Sequence, residues 1–231
     1  MQNFKLSSRL FSEIFWISIL GHTDSKNKQL QELILDLEKL DILRKYADYN
    51  TGSISLSDAW CLFSLIDYFK PKRVVEIGTF IGKSTWSMAK SLENQVEQIG
   101  NIYTCDMSND IKIPWKGKVV IKQFPRTEST EMLKKIEEKI DFLLIDGRLN
   151  NNDNIELDRL LHSNSIIALD DFEGMEKGVA NLFTLKRIDQ LKNHFLIYPC
   201  KKEYLQQIGL SSHSLTAILL PANIIQLTAQ G

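Results

Sequence analysis

The chain has 231 residues, 43% of them hydrophobic and 25% charged, with a formal net charge of -1. That length suffices for one substantial domain with a large core plus a small helical extension. The near-neutral charge argues against an electrostatic grip on nucleic acid or an anionic membrane. Three widely separated cysteines, Cys61, Cys105 and Cys200, argue against a disulfide framework or a zinc site and fit a reducing cytoplasm.

The apolar run from Leu10 to Leu20 follows Lys5 and Arg9, as in a signal peptide, but Glu13 interrupts it and no small-residue cleavage site follows. It is also too short to span a bilayer, so it reads as an amphipathic helix or capping segment, and an apolar helix here suggests a dimer contact or a lid. Leu30, Leu33, Ile34, Leu37, Leu40 and Leu43 then recur at helical spacing. Ser57 is the expected N-cap of a helix carrying Trp60, Phe63, Ile66 and Phe69 and halted by Pro71. Asn50 to Ser53 is the candidate linker, which divides the chain into a helical extension over 1–54 and a main domain over 55–231.

From Arg73 onward, short apolar runs alternate with helical stretches. The runs are Val74 to Ile77, Ile102 to Cys105, Val119 to Ile121, Phe142 to Ile145 and Ile166 to Leu169. Helical stretches cover Lys83 to Leu92, Thr130 to Lys139, Asp153 to Leu161 and Met175 to Leu191. Near-continuous apolar strands separated by helices predict a parallel sheet covered on both faces. Two last runs, Phe195 to Tyr198 and Leu215 to Leu220, have little room for a helix between them and should pair antiparallel. The expected fold is α/β: a doubly wound, Rossmann-like sheet of seven strands, mostly parallel with an antiparallel C-terminal strand, and helices on both faces.

In such a sheet, ligands bind at the carboxyl ends of the strands near the point where strand order reverses. The informative segments are therefore Glu76 to Gly82, Asp106, Gln123 to Thr127, Asp146 to Leu149 and Asp170 to Phe172. Four of these five carry acid at or beside the strand end, and a desolvated carboxylate without a partner costs several kcal/mol. Gly78-Thr79-Phe80-Ile81-Gly82 follows a strand and opens a helix, so its glycines allow a tight turn and close approach to a ligand. Asp106 ends the second strand, where a carboxylate can accept both hydroxyls of a ribose. His194 would serve as a base only if the final hairpin folded over the cleft.

A rival is a nucleotide triphosphatase. Gly82-Lys83-Ser84 resembles the end of a phosphate-binding loop, with Leu143 to Asp146 as its magnesium-binding strand. Such a loop needs four residues between its glycines, whereas three stand here, and the position that should be glycine is Ile77. Glu76, expected to point into the cleft, would repel phosphate.

Three segments carry a resemblance: Val74 to Thr85, Ile140 to Gly147, and Leu160 to Asp171. In this order and spacing they resemble the class I methyltransferases, most similarly the branch of catechol and caffeoyl-coenzyme A O-methyltransferases and the family 24 methyltransferases. The resemblance implies transfer of a methyl group from S-adenosylmethionine to a small-molecule acceptor bearing a hydroxyl. It implies that Glu76, Gly78, Thr79, Phe80, Gly82 and Ser84 hold the amino-acid end of the cofactor. Asp106 would take the ribose, Met107 the adenine, and Asp146 would border both cofactor and acceptor. Asp146, Asp170 and Asp171 match the positions that hold a divalent metal such as Mg in this branch. Three carboxylates converging from adjacent strand ends are indeed a hard oxygen site. Asp146, Arg148 and Asp170 are the catalytic candidates.

Departures from the pattern are informative. The metal-dependent enzymes carry a lysine three residues after the fourth-strand aspartate, where this chain has Leu149. Arg148 beside it stays protonated and can orient an anion without acting as a base. Phe124-Pro125-Arg126 stands where the family has a small residue beside the adenine. These departures motivate a second reading, a cofactor-binding protein without transferase activity.

Overall fold

The computed structural model describes residues 4–23, 26–49, 52–95, 100–107, 111–173 and 177–224. Its centre is one sheet of eight strands in the order β1-β7-β8-β6-β5-β2-β3-β4. These are β1 (Phe4–Leu6), β2 (Arg73–Ile77), β3 (Asn101–Asp106), β4 (Val120–Pro125), β5 (Phe142–Ile145), β6 (Ile166–Leu169), β7 (His194–Ile197) and β8 (Ala217–Pro221). β8 runs antiparallel to β6 and β7, and every other pairing is parallel. Strand order reverses between β2 and β5: the chain fills β3 and β4 on one side, then β5 and β6 on the other. That switch point opens a crevice at the carboxyl ends of the strands.

The eighth strand, β1, was not legible in the sequence. It is three residues long and takes its order from pairing with β7 at the sheet edge, register Phe4 to His194. A second correction concerns the C-terminal hairpin: α8 (Lys202–Gln207) fits between β7 and β8, because one and a half helical turns need only six residues. The helix expected over Thr130 to Lys139 stops early, as α5 (Ser129–Lys134). The one expected from Met175 is, among the described residues, α7 (Gly178–Leu185) followed by a short 3-10 turn.

The N-terminal helices share the core of the sheet domain. In α1 (Arg9–Thr23), Ser8 Oγ accepts from the Phe11 amide at 3.1 Å, and Phe15, Trp16, Ile19 and Leu20 are buried. Leu10, Ile14 and Ile17 stay exposed on its outer face. In α2 (Asn27–Leu40), Leu30, Leu33, Leu37 and Leu40 form a stripe at helical spacing that packs into the same cluster. α3 (Leu56–Phe69) is capped by Ser55, whose hydroxyl accepts from the Asp58 amide at 3.0 Å; the expected cap, Ser57, instead donates to the Ser212 carbonyl at 2.7 Å. α3 ends at Lys70, which turns left-handed just before Pro71. α4 (Lys83–Glu93) and α6 (Asp153–Leu160) complete the layers on the two faces. Of the linker expected at Asn50 to Ser53, Asn50 and Thr51 lie outside the described residues.

Trp16 ties the extension to the sheet edge, with its indole nitrogen donating to the Tyr198 carbonyl at 2.8 Å. Trp16→Ala should lower stability by about 3–5 kcal/mol in a single cooperative urea transition. Two separable transitions would show that the N-terminal helices fold as an independent unit.

Candidate active site

Interstrand register places one residue from each of four neighbouring strands in a row. The aligned pairs Leu169–Ile145, Ile145–Ile77 and Ile77–Cys105 close the regular pairing of β6, β5, β2 and β3. The next residues are Asp170, Asp146, Gly78 and Asp106. Three carboxylates thus flank one glycine at the carboxyl edge of the sheet. Gly78 has φ 104°, and a Cβ there would lie 2.8 Å from the Gly147 nitrogen, so the turn after β2 closes against the turn after β5 only without a side chain.

Along this edge runs a cavity of about 1040 Å³, lined by Gly78, Phe80, Asp106, Met107, Asp146 and Arg148 among others. Its size is at the upper end for small-molecule sites, about 300–1,000 Å³. The acids divide it into two ends.

At the β3 end, Asp106 is mostly buried and already oriented. Its Oδ2 accepts from the Phe80 amide at 2.8 Å and from the Tyr49 hydroxyl at 3.1 Å. Phe80 has φ 45°, which aims its amide at the carboxylate, and its ring packs 5.3 Å from that of Tyr49. Tyr49, with Gly52, brings the extension into the cavity wall. Tyr49 is not legible from the sequence, because it lies 57 positions from its partner in a stretch with no motif.

At the β5 end, Lys177 bridges the acids. Its Nζ lies 2.6 Å from Asp146 Oδ1 and 2.9 Å from Asp171 Oδ2. Burial pushes the Asp146 carboxyl up to about 6, against the pull of Lys177. Burial, together with the neighbouring Asp146 and Asp58, raises Asp170 well above the usual carboxylate range, while Thr216 donates to it at 3.0 Å. Burial alone would lower the Lys177 pKa, but Asp146 and Asp171 outweigh it and hold the ammonium above its ordinary value. One oxygen from each of Asp146, Asp170 and Asp171 falls within 4.8 Å of the others. Arg148 and Asn150 to Asn152 form the rim.

Four of the anticipated cofactor residues lie beneath this lining rather than on it: Glu76, Thr79, Gly82 and Ser84. Glu76 is fully buried, and its carboxylate accepts from Ser84 and Thr85 of α4 and from Thr104 of β3, the last at 2.5 Å. It therefore does not point into the cleft; it ties the start of α4 to two strands. Thr79 Oγ1 shares a hydrogen bond with Thr104 at 2.5 Å, and Gly82, at φ 80°, caps α4 against Ile113. His194 is remote: the first residue of β7, it is buried and bonded to the Ser165 carbonyl at 2.8 Å, at the amino end of the strands.

Burial pushes the Glu76 carboxyl up to about 7, with the hydroxyls of Ser84, Thr104 and Thr85 opposing it. The folded state then holds a proton that the unfolded chain releases above pH 4.5. This contribution to stability is whole below pH 4.5 and falls away as pH rises to about 7. Glu76→Gln should remove it: relative to the variant, the wild type should lose on the order of 3 kcal/mol between those values, read from urea midpoints. Parallel pH profiles for the two proteins would refute the assignment.

A family model described as a methyltransferase domain matches residues 75–172, the stretch holding all three carboxylates of the row and the turns around them. No curated protein sequence matches the chain. Among solved structures it is similar to the cofactor-bound Rv0187 from MTB, at 16% identity and TM-score 0.54, over 81% of this chain and 89% of that one. It is also similar to the O-methyltransferase TomG from Streptomyces achromogenes in complex with SAM, at 13% identity and TM-score 0.53, over 80% and 89%. The SAH-bound Podospora anserina methyltransferase PaMTH1 gives 15% identity and TM-score 0.53, over 80% and 86%. The chain therefore has the Rossmann-like fold of these methyltransferases, and its residues 75–172 match the methyltransferase-domain model.

Proposed function

We propose that the protein is an S-adenosylmethionine-dependent O-methyltransferase acting on a small hydroxylated molecule. The observation that carries this reading is the division of one cavity into two chemically distinct ends, separated by the bare backbone of Gly78. Asp106, fixed by an amide and a phenol, is a ready acceptor for the paired hydroxyls of a ribose. The exposed Met107 and the segment Thr127 to Ser129 continue the lining beside it, where a nucleobase would lie.

S-adenosylmethionine, when bound, supplies an electrophilic methyl group on a sulfonium centre. The chain's own part is to align an acceptor oxygen with that methyl and to receive the acceptor's proton. Alignment of this kind is worth much of the barrier in a two-reactant displacement. Asp146, with its carboxyl near 6, is ionised at neutral pH and placed to take the proton. Arg148, at the rim, is placed to orient an anionic part of the acceptor. The buried Asp170 holds Asp146 in place from the adjoining strand.

The phosphate-binding alternative loses its lysine. Lys83 Nζ pairs with Asp41 at 2.8 Å and is absent from the cavity lining. The absence of a lysine at Leu149 keeps a second reading in view, a cofactor-binding protein without transferase activity. It predicts bound S-adenosylhomocysteine with no methyl transfer to any hydroxylated acceptor.

Calorimetric titration with S-adenosylhomocysteine tests the cofactor reading. Micromolar binding is expected, weakened by about 1–3 kcal/mol in Asp106→Ala, which loses a charge-assisted hydrogen bond, and by about 0.5–1.5 kcal/mol in Tyr49→Phe. No binding to the wild type would remove the proposal.

A further inference from the structure

The acid cluster at the β5 end contains a cation of the chain's own. A divalent ion held by Asp146, Asp170 and Asp171 would need one oxygen of each turned toward a common point about 2.0–2.6 Å away. The three oxygens lie close enough for that. Two of the three residues, however, are engaged by the Lys177 ammonium at 2.6 and 2.9 Å, and Thr216 Oγ1 donates to the third at 3.0 Å. A fixed ammonium and a divalent cation repel strongly at such separations. The residues do not fit a metal while Lys177 keeps its place.

Two clamps hold it there. Immediately after Lys177, Gly178 runs against the turn that follows β6. A Cβ on Gly178 would lie 2.6 Å from Phe172 Cα and 2.9 Å from the Asp170 carbonyl oxygen, so only glycine lets the chain pass this close to the acid pair. One helical turn later, Asn181 is buried and fastens α7 to the turn after β5. Its Nδ2 donates to the Gly147 carbonyl at 2.8 Å, and its Oδ1 accepts from the Leu149 amide at 3.0 Å. Lys177 is the N-cap residue of α7, and its carbonyl accepts from the Asn181 amide at 2.9 Å. The start of α7 is thus seated on both acid-bearing turns, with the ammonium between Asp146 and Asp171. Asp171 takes a left-handed φ of 50°, an uncommon conformation for a residue with a side chain, and its carboxylate meets that ammonium.

We propose that Lys177 is the resident cation of this cluster, standing where a divalent metal would otherwise sit, and that it supplies the positive charge facing the acceptor oxygen. The inference rests on reading the cavity as a methyl-transfer site. In that setting the ammonium stabilises negative charge developing on the acceptor oxygen as its proton passes to Asp146. The cation reaches the cluster from the segment after β6 instead of from the position of Leu149.

Manganese is the probe, because electron paramagnetic resonance counts free Mn²⁺ directly. The wild type should leave the free-ion signal undiminished, while Lys177→Met, which keeps length and loses charge, should take up one equivalent. Lys177→Gln serves as a second variant should the first fail to fold, and Lys177→Arg should exclude the ion as the wild type does. One equivalent bound by the wild type and lost in Asp146→Asn would overturn the proposal. So would a cluster that stays empty in both neutral variants. Titration of the same samples with S-adenosylhomocysteine separates the two readings: retained binding certifies the variants as folded, whereas no binding to the wild type faults the cofactor assignment and leaves the manganese result to be judged alone.

Discussion

Carboxylates at the buried ends of neighbouring parallel strands have to be satisfied without bulk water, and the architecture of this protein follows from how each one is. An unpaired buried charge is costly enough to unfold a domain of ordinary stability. Glu76 is met by three hydroxyls from α4 and β3, Asp106 by the Phe80 amide and Tyr49, Asp146 by Lys177, and Asp170 by Thr216. The donors come from β3, α4, the turn after β2, the N-terminal extension, the N-cap of α7 and the residue just before β8. Distant parts of the chain are thereby drawn to one edge of the sheet.

This solution also separates the acids by their access to the cavity. Glu76 is fully buried and absent from the cavity lining. Asp106 and Asp146 are each fixed on one side and open to the cavity on the other, the condition for receiving a ligand without reorganising. Gly78 between them contributes only backbone. The same glycine lets the two turns touch and leaves the passage between the ends clear.

The sheet was legible because its central strands are continuous apolar runs with acids at their ends, and β2, β3, β5 and β6 lie where the pattern places them. β1 was not, because three residues at a sheet edge carry too little periodicity and owe their conformation to β7. Asp106, Asp146 and Asp170 stand at the strand ends where the sequence pattern puts them. The direction of Glu76 was missed: side chains alternate along a strand, and the sequence does not say which face the crevice opens on. Lys177 and Tyr49 escaped notice because nothing in the local sequence marks a lysine or tyrosine as the partner of an acid far along the chain. Lys177 also explains how a site without the lysine at Leu149 still holds a cation beside Asp146.

A crystal structure of the protein with S-adenosylhomocysteine, grown in the presence of magnesium, tests the account most directly. The account predicts the ribose hydroxyls on Asp106, the sulfur passing over Gly78, and Lys177 still seated between Asp146 and Asp171. A nucleoside bound elsewhere, or a magnesium ion on the three aspartates with Lys177 displaced, would contradict it.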